Sequence, residues 1–313
     1  MTPDCRPSSA PVNSNSGYAA GLSRDPWGFS MKITNKGVIG AQITGISLAR
    51  TPDPEQVQEI FCLLERHGVL IFKDQAITPD QQLEFSRCFG PLARSPRVDG
   101  RVSGYPDVFA VGNSGGTRIL FCPEHPDGPL DWHTDQIHRK TPCHTTLLYA
   151  LLIPPRGGDS LFACTYSAYD DLDSSKKTLC DGLTAVHSPL GLMEYLSGQS
   201  HEGGEGQSYD SFPDATRWPL VRHHPLTGRP ALYFGSHVTV GIDDWPRIKA
   251  REFIEDLTVH TTQPQYQYRH QWQEGDAVFI DNRRVLHAGT YYDMDRYERL
   301  LHRTMTIETE PPV

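Results

Sequence analysis

The sequence predicts a mainly β protein, a sandwich or a barrel with flanking helices. From residue 105 onward, short β-rich segments such as "DVFAVGN", "TTLLYALLI" and "DAVFIDNRRVLHAG" stand between turn residues. They do not follow the regular strand–helix alternation that is typical of a doubly wound parallel sheet. Many short strands of this kind favour a sandwich or a barrel instead.

Residues 1–30 are predicted to form a disordered tail, because they are rich in Pro, Ser, Asn and Gly and show no apolar periodicity. A tail without function is the simpler interpretation, and a weak targeting or lid role is the alternative. The folded part is predicted to begin near Met31 with "MKITNKGVIGAQITGISL", a β-rich stretch that glycines interrupt. We therefore interpret residues 31–313 as a single domain.

Two helices with clear start signals follow. Asp53 provides an N-cap, Pro54 the first helical residue and Gly68 the end. Between them, apolar residues recur at the i, i+3, i+4 and i+7 positions of one helical face: Val57, Ile60, Phe61 and Leu64. The segment "VLIFKD" predicts a buried strand, and Thr78-Pro79 opens a second helix that ends near residue 89.

The remaining elements are short strands, one helix and one long loop. Strands are predicted in "DSLFACTY", "ALYFGSHVTV" and "HRTMTIET", and a third helix is predicted over 246–257. Residues 194–214 are polar and glycine-rich, which indicates a surface loop inserted around this position. Loops of this length are often lids or binding loops.

The charge of the chain argues against one broad class of function. With 29 basic and 38 acidic residues, the formal net charge is -9, whereas proteins that bind phosphate backbones carry a basic footprint. We therefore expect a small-molecule substrate and no nucleic-acid partner.

The cysteines and the hydropathy pattern indicate a cytoplasmic protein. The seven cysteines are an odd number and contain no C-x-x-C pair, so we expect neither a zinc ribbon nor a disulfide framework. No run approaches the roughly 18 apolar residues of a membrane span, and the N-terminus shows no apolar signal segment. We expect no membrane partner, and the sequence leaves a homo-oligomer open.

The stretch "LDWHTDQ", residues 130–136, contains the first candidate metal ligands. If it is an extended strand, His133 and Asp135 project to the same side, because residues i and i+2 share a face. An imidazole and a carboxylate are two thirds of the 2-His-1-carboxylate set that binds non-haem Fe(II). The alternative is a polar strand that faces solvent.

A third ligand is predicted at His287, which an apolar strand carries and which Arg299 and Arg303 follow. This pattern suits an enzyme whose co-substrate is the dicarboxylate 2-oxoglutarate. One end of that molecule chelates the iron, and its distal carboxylate requires a fixed arginine. Ser160, in "PRGGDSLF", could supply a second partner for that carboxylate. The alternative for the two arginines is a pair of solvated charges on a late strand.

Several motifs occur together, in a fixed order, over roughly residues 31–310: "FGPL" (89–92), "WHTD" (132–135), "GGDS" (157–160), "RHHPLTGRPALY" (222–233), "GIDDWP" (241–246), "YRHQW" (268–272), "DNR" (281–283) and "ERLLHRT" (298–304). With these motifs the sequence resembles the taurine / 2,4-dichlorophenoxyacetate dioxygenase (TauD/TfdA) family of Fe(II)- and 2-oxoglutarate-dependent oxygenases. The C-terminal half is more similar to the aryloxyalkanoate branch than to the taurine branch.

The resemblance implies a double-stranded β-helix (a cupin-like jelly roll) and the use of Fe(II), 2-oxoglutarate and O2. It implies that His133, Asp135 and His287 bind iron. It also implies that Arg299, with Ser160 beside it, holds the distal carboxylate of 2-oxoglutarate.

Two departures from the family pattern affect this assignment. Ile280 stands before "DNR", where the family often has Trp. The spacing from His287 to Arg299 is about one residue longer than usual, which leaves Arg303 as an alternative residue for holding 2-oxoglutarate.

The reaction implied by the resemblance releases succinate and CO2 and oxidises a small organic molecule. The outcome is hydroxylation, cleavage of a C–O or C–S bond, or desaturation. Arg303 is expected near the co-substrate or near an anionic group of the substrate. Arg94, Arg97 and His237 are further candidate substrate contacts.

The alternative function is a non-oxidative jelly-roll protein, a zinc hydrolase or a binding protein, that uses the same three ligands. Arg299 and Ser160 discriminate between the two functions, since a zinc hydrolase does not need to retain them. A nucleic-acid demethylase on the same scaffold is disfavoured by the net charge of -9.

Overall fold

The computed structural model describes residues 31–94, 100–114, 126–128, 130–197 and 215–309 together with residue 312. The predicted tail, residues 1–30, lies outside these ranges. Residues 198–214 of the predicted loop also lie outside them.

Strands predominate over helices in the described ranges. The first elements are β1 (Lys32–Asn35), β2 (Ala41–Thr44), α1 (Pro54–His67), β3 (Val69–Phe72), α2 (Pro79–Arg87), β4 (Arg101–Val102) and β5 (Tyr105–Gly112). The next are β6 (Cys143–Leu152), β7 (Ser160–Cys164), α3 (Thr165–Asp170), α4 (Ser174–Asp181), β8 (Thr184–His187) and α5 (Pro189–Ser197). The last are β9 (Thr216–Pro219), β10 (Val221–His223), β11 (Pro230–Leu232), β12 (Thr239–Ile242), α6 (Arg247–Thr261), a 3-10 turn (Pro264–Tyr266), β13 (Gln267–His270), β14 (Ala277–Asp281), β15 (Val285–Gly289) and β16 (Leu300–Ile307).

The largest sheet has eight strands in the order β1-β2-β3-β14-β6-β16-β5-β4. Strands from the two ends of the chain alternate in it, since β14 lies between β3 and β6, and β16 lies between β6 and β5. Two three-stranded sheets, β13-β7-β15 and β12-β8-β9, and the pair β10-β11 complete the β structure. This interleaving of early and late antiparallel strands confirms the expected mainly β, jelly-roll fold with flanking helices.

Strand β14 shows where the core lies. Its residues Val278 and Ile280 pack in a cluster with Phe162 of β7 and Val285 of β15. The alternate residues Ala277 and Phe279 pack on the other side of the sheet, in a cluster that contains Ile60 and Leu64 of α1 and Phe85 of α2. Because side chains alternate between the two faces of a strand, a strand that is covered on both faces is apolar throughout.

The predicted helix starts are confirmed. The Asp53 side chain accepts a hydrogen bond from the Gln56 backbone, and the Gln56 side chain accepts one from the Asp53 backbone. Thr78 and Gln81 form the same reciprocal arrangement at the start of α2. Each arrangement satisfies backbone N–H groups that the first helical turn leaves without partners.

Other boundaries differ from the prediction. The third predicted helix, α6, begins one residue later than expected, at Arg247, and continues to Thr261. The segment "DSLFACTY" is a strand only as far as Cys164, and α3 begins at Thr165. The segment "ALYFGSHVTV" contains two strands, β11 and β12, with turn residues between them. Helices α3, α4 and α5 were not predicted, because tertiary packing overrides weak local preferences in short segments.

Two further findings concern membrane-spanning helices and the cysteines. No helix in the described ranges is long and apolar enough to cross a membrane. Cys88, Cys143, Cys164 and Cys180 are free, whereas Cys62 is disulfide-bonded. The expectation of a chain without disulfides therefore does not hold for Cys62.

Candidate metal centre

Two histidines from distant parts of the chain form a backbone pair. The backbone N–H of His133 donates to the carbonyl of His287 at 3.0 Å, and the N–H of His287 donates to the carbonyl of His133 at 2.8 Å. Their ring centroids lie 4.3 Å apart. Strand β15 holds His287 at this position through its pairing with β7, where Phe162 stands opposite His287. The fold therefore places two imidazoles side by side.

Asp135 also lies beside His287, but the backbone that carries it is not the extended strand considered in the sequence analysis. Residues 130–136 are not a continuous strand: His133 forms an isolated bridge with His287, and a turn begins at Asp135. Gln136 follows with a φ of 53°, in the left-handed region that residues other than glycine seldom adopt. The Asp135 Oδ2 atom lies 3.9 Å from His287 Nε2.

The three predicted ligands are thus brought together. One ligand atom from each of His133, Asp135 and His287 lies within 4.8 Å of the others. The side chains of Asp135 and His287 are buried, and that of His133 is 16% exposed. Two imidazoles and one carboxylate form the donor set that suits non-haem Fe(II), and also zinc.

The electrostatic surroundings keep Asp135 ionised. Arg303 Nη1 donates to Asp135 Oδ1 at 2.7 Å, and Thr146 Oγ1 donates to Asp135 Oδ2 at 2.6 Å. Burial alone would raise the pKa of Asp135, but the Arg303 guanidinium, with His287 and His133 nearby, holds it well below its usual range. An ionised carboxylate is the form that binds a metal.

Burial also keeps His287 neutral. It lowers the pKa of His287 to about 3, with the neighbouring His133 as the next cause. A metal ligand must be a neutral imidazole with a bare nitrogen, so His287 is already in the protonation state that ligation requires.

His133 is oriented by Asp131, which our sequence analysis missed. The Nδ1 atom of His133 lies 2.9 Å from the Asp131 carbonyl oxygen and 3.4 Å from its carboxylate. Because Nδ1 carries the proton toward these acceptors, Nε2 is left for a metal. Carboxylates commonly hold metal-binding histidines in this way.

Arg299 and Ser160 both lie near the start of β7. Arg299 Nε donates to the carbonyl of Gly158 at 3.1 Å, and Ser160 Oγ accepts from Trp272 Nε1 at 3.0 Å. Both Arg299 and Ser160 are 7% exposed. Gly158 has a φ of 68°, and a Cβ at this position would lie 3.2 Å from Arg299 Cδ. The glycine therefore permits the close approach of this arginine.

The candidate substrate contacts are more dispersed. Arg94 forms an ion pair with Asp107 at 3.1 Å, and its side chain is 64% exposed. His237 Nδ1 lies 2.9 Å from the Asp131 carboxylate, so His237 is linked to His133 through Asp131. Arg97 lies outside the described residues.

Sequence reasoning missed three residues that hold the centre, although each left a signal. Asp131 is part of "LDWHTDQ", and Trp272 ends the motif "YRHQW". Thr146 is a polar residue at the start of the apolar run "TTLLYALLI". A hydroxyl inside an apolar strand needs a hydrogen-bond partner when it is buried, and Asp135 is that partner.

Comparisons with known proteins agree with this geometry. The model of the family described as "Taurine catabolism dioxygenase TauD, TfdA family" matches residues 30–305. The alpha-ketoglutarate-dependent 2,4-dichlorophenoxyacetate dioxygenase of Burkholderia sp. (strain RASC) is 32% identical over 274 residues, or 85% of this chain and 90% of that protein. The (S)-phenoxypropionate/alpha-ketoglutarate-dioxygenase of Delftia acidovorans is 30% identical over 275 residues, or 84% of this chain and 91% of that protein.

A solved structure is also similar. The crystal structure of AAD-2 in complex with Mn(II) and N-oxalylglycine superposes with a TM-score of 0.75 at 28% sequence identity. The superposition covers 90% of this chain and 99% of that chain.

Proposed function

Since this chain belongs to the taurine catabolism dioxygenase TauD, TfdA family and is a 2-oxoglutarate-dependent non-haem iron dioxygenase, we propose that His133, Asp135 and His287 hold its Fe(II). The observation that carries this proposal is the convergence of the three ligand atoms within 4.8 Å. The substrate we propose is a small, anionic organic molecule.

The chemistry divides between the cofactor and the protein. Bound Fe(II), with 2-oxoglutarate and O2, supplies the oxidising power: one oxygen atom enters the co-substrate, which leaves as succinate and CO2, and the other oxidises the substrate. The protein ligates the metal, orients 2-oxoglutarate and the substrate, and excludes side reactions. Hydroxylation, desaturation and cleavage of a C–O or C–S bond are all compatible with these tasks.

We assign the distal carboxylate of 2-oxoglutarate to Arg299 and Ser160. The Arg299 side chain is buried and donates to Gly158, two residues before Ser160, so a guanidinium and a hydroxyl stand near one strand end. A buried guanidinium is the preferred partner of a carboxylate, because it donates two parallel hydrogen bonds. Ser160 Oγ accepts from Trp272, which leaves its O–H to donate.

Arg303 is proposed to pair with the anionic group of the substrate. Its guanidinium contacts Asp135 Oδ1, so it lies beside the metal ligands, where a substrate must bind to be oxidised. The two relatives described above are named for 2,4-dichlorophenoxyacetate and phenoxypropionate, both of which are carboxylates. The net charge of -9 favours a small molecule over nucleic acid.

The other candidate substrate contacts differ in what supports them. His237 is supported by its link to His133 through Asp131. Arg94 would have to leave Asp107 to bind a substrate. Arg97 stays a sequence prediction.

The non-oxidative alternative receives no support from the site. A zinc hydrolase does not need an additional anion-binding site formed by Arg299 and Ser160. The two relatives described above are named as alpha-ketoglutarate-dependent dioxygenases.

Domain organisation, location and assembly complete the proposal. We propose one catalytic domain over 31–313 with an inserted loop around 194–214, because the family match spans residues 30–305. The free cysteines found within the described ranges favour the cytoplasm, while the disulfide of Cys62 argues against it. The sequence left a homo-oligomer open, and the molar mass measured by light scattering would decide between a monomer and an oligomer.

The decisive experiment is an anaerobic visible spectrum of metal-free protein after addition of Fe(II) and then 2-oxoglutarate. We expect a weak charge-transfer band that appears only with 2-oxoglutarate and disappears in His133→Ala. His223→Ala is the matched control, because His223 is exposed on β10, and it should retain the band. If iron binds and no band appears, 2-oxoglutarate does not chelate the metal and the proposed function is wrong.

A second measurement addresses the substrate class. Succinate release should be faster with small carboxylates or sulfonates than with neutral amides of the same shape. Equal rates for the charged and neutral molecules would contradict the role proposed for Arg303.

A further inference from the structure

The turn between β14 and β15 contributes to both halves of the metal centre. Strand β14 ends at Asp281 and β15 begins at Val285, so Asn282 lies in the turn that leads to His287. The Asn282 side chain does not point away from the centre: its Oδ1 atom accepts from the backbone N–H of Asp135 at 3.2 Å. Thr134 Oγ1 in turn donates to the Asn282 carbonyl at 2.6 Å. The turn that leads to His287 therefore also holds the backbone at Asp135.

The same amide reaches the Asp135 carboxylate through one intermediate. Asn282 Nδ2 donates to Thr146 Oγ1 at 2.9 Å, and Thr146 Oγ1 donates to Asp135 Oδ2 at 2.6 Å. The other N–H of the amide donates to Cys143 Sγ at 3.2 Å. All polar atoms of the Asn282 side chain thus have a partner.

The direction of each hydrogen bond follows from the chemistry of its partners. The backbone N–H of Asp135 can only donate, so the atom of Asn282 that faces it must be the amide oxygen. An ionised carboxylate can only accept, so the Thr146 hydroxyl must donate to Asp135 and accept from Asn282. The chain of donors therefore runs one way, from Asn282 through Thr146 to Asp135.

Burial strengthens this series of hydrogen bonds. Thr146 is fully buried, Asn282 is 1% exposed and Asp135 is 4% exposed. Where water cannot compete, a hydrogen bond to a charged group is stronger and its loss is more costly. Arg303 holds the other oxygen, Oδ1, so the plane of the carboxylate is fixed from two sides while further lone pairs stay available for a metal.

We propose that Asn282 and Thr146 are positioning residues that orient Asp135 for metal binding and thereby set the metal affinity of the centre. This inference rests on the proposed ligand role of Asp135. The two residues touch neither the metal nor the substrate. They act by holding the carboxylate in one rotamer, while the turn that contains Asn282 leads into the strand that carries His287, so that both ligands are aligned before the metal arrives.

The test compares hydroxyl removal at two adjacent residues of β6. Thr146→Val removes the donor to Asp135 without changing the shape of the side chain. Thr145→Val is the matched control: Thr145 is 1% exposed, and its hydroxyl bonds to Thr306, away from the centre. Thr146→Ser retains the hydroxyl. Affinity for Mn(II) is measured on metal-free protein by electron paramagnetic resonance, and stability by thermal unfolding without metal.

We expect Thr146→Val to weaken Mn(II) binding by roughly 10- to 100-fold, the usual effect of removing a partner of a metal ligand. Thr145→Val should leave Mn(II) binding unchanged and lower thermal stability by no more than Thr146→Val, because its hydroxyl bonds to a neutral group. Thr146→Ser should restore most of the affinity. Asn282→Ala should weaken binding too, and its effect should be less than additive with that of Thr146→Val, because both residues act along one chain of hydrogen bonds.

The inference is overturned if Thr146→Val binds Mn(II) as tightly as the unmodified protein, or if Thr145→Val weakens binding equally. Should Asn282→Ala fail to fold, the three threonine variants decide the question alone. Asp135→Ala separates this inference from the proposed function. If Asp135→Ala abolishes Mn(II) binding and Thr146→Val does not weaken it, Asp135 is a ligand that needs no positioning residues. If Asp135→Ala binds Mn(II) normally, the proposed metal centre itself is wrong.

Discussion

Arg299 and Arg303 are four residues apart in the chain, but their guanidinium groups have different surroundings. Arg299 donates to the Gly158 carbonyl near Ser160. Arg303 donates to the Asp135 carboxylate and lies 5.2 Å from the Phe109 ring centroid. The local sequence does not separate their roles, since both are basic residues on one late segment. Their partners do, because only Arg303 contacts a proposed metal ligand.

This difference predicts that Arg299→Ala raises the KM for 2-oxoglutarate by roughly 30-fold or more, which corresponds to about 2 kcal/mol or more for loss of a buried charge pair. Arg299→Lys should recover only part of this loss, because an ammonium cannot donate the two parallel hydrogen bonds of a guanidinium. The measurement is succinate release as a function of 2-oxoglutarate concentration. Mn(II) affinity serves as the control and should not change. A larger effect in Arg303→Ala than in Arg299→Ala would exchange the two roles.

At the scale of elements, helix α1 owes its start to a few residues. Asp53 Oδ1 accepts from the Gln56 backbone at 2.9 Å, and Gln56 Oε1 accepts from the Asp53 backbone at 3.0 Å. The helix in turn covers one face of the large sheet through Ile60 and Leu64. Because this face is opposite to the one that packs against β7 and β15, the cap should contribute to stability and not to metal binding.

We therefore predict that Asp53→Ala lowers the free energy of unfolding by about 1 kcal/mol, as is usual for loss of an N-cap. Asp53→Ser should retain most of the stability, because serine also accepts the hydrogen bond from the third helical residue. Urea unfolding of the metal-free variants gives the free energies. Weaker Mn(II) binding in Asp53→Ala would show that α1 and the metal centre are coupled, contrary to this view.

At the scale of the whole molecule, closing the jelly roll places several histidines in the interior. Burial is the first cause that lowers the pKa of His187 to about 3 and that of His224 to about 4. Burial, followed by the charge of Arg283, also lowers the pKa of His144 well below its ordinary value. The ordinary value for each is 6.5. At pH values between the lowered pKa and the ordinary pKa of these histidines, the unfolded chain binds more protons than the folded chain.

The protein should therefore lose stability as the pH falls from 7 to 5. Each buried histidine contributes up to about 1.4 kcal/mol per pH unit below its unfolded pKa. Urea unfolding of the metal-free protein at several pH values measures the slope. His187→Gln should reduce the slope, and the exposed His223→Gln should not. A slope that is the same in all three proteins would show that His187 is not kept neutral by the fold.

The helix starts and the candidate ligand residues could be recognised in the sequence, for a physical reason. Asp53-Pro54 and Thr78-Pro79 act within one helical turn, so their effect is local and can be recognised in the sequence. The extended conformation assumed for 130–136 was wrong, because a turn begins at Asp135 and Gln136 has a positive φ. The backbone N–H of Asp135 bonds to Asn282, which is far away in the chain. The roles of Thr146 and Asn282 were not predictable for the same reason, since each role consists of a contact with a residue in another part of the fold.

The sequence by itself determined the mainly β fold class, the helix caps and the identity of His133, Asp135 and His287 as candidate ligands. Residue type and short spacing carry that information for the caps and for His133 and Asp135, and the apolar strand and following arginines carry it for His287. Only the tertiary structure decided which arginine lies beside the ligands and which residues hold Asp135 in place. The jelly roll pairs strands from opposite ends of the chain, so the atoms that meet at its centre are set by strand register. That register depends on the packing of both sheet faces, which no single segment of the chain contains.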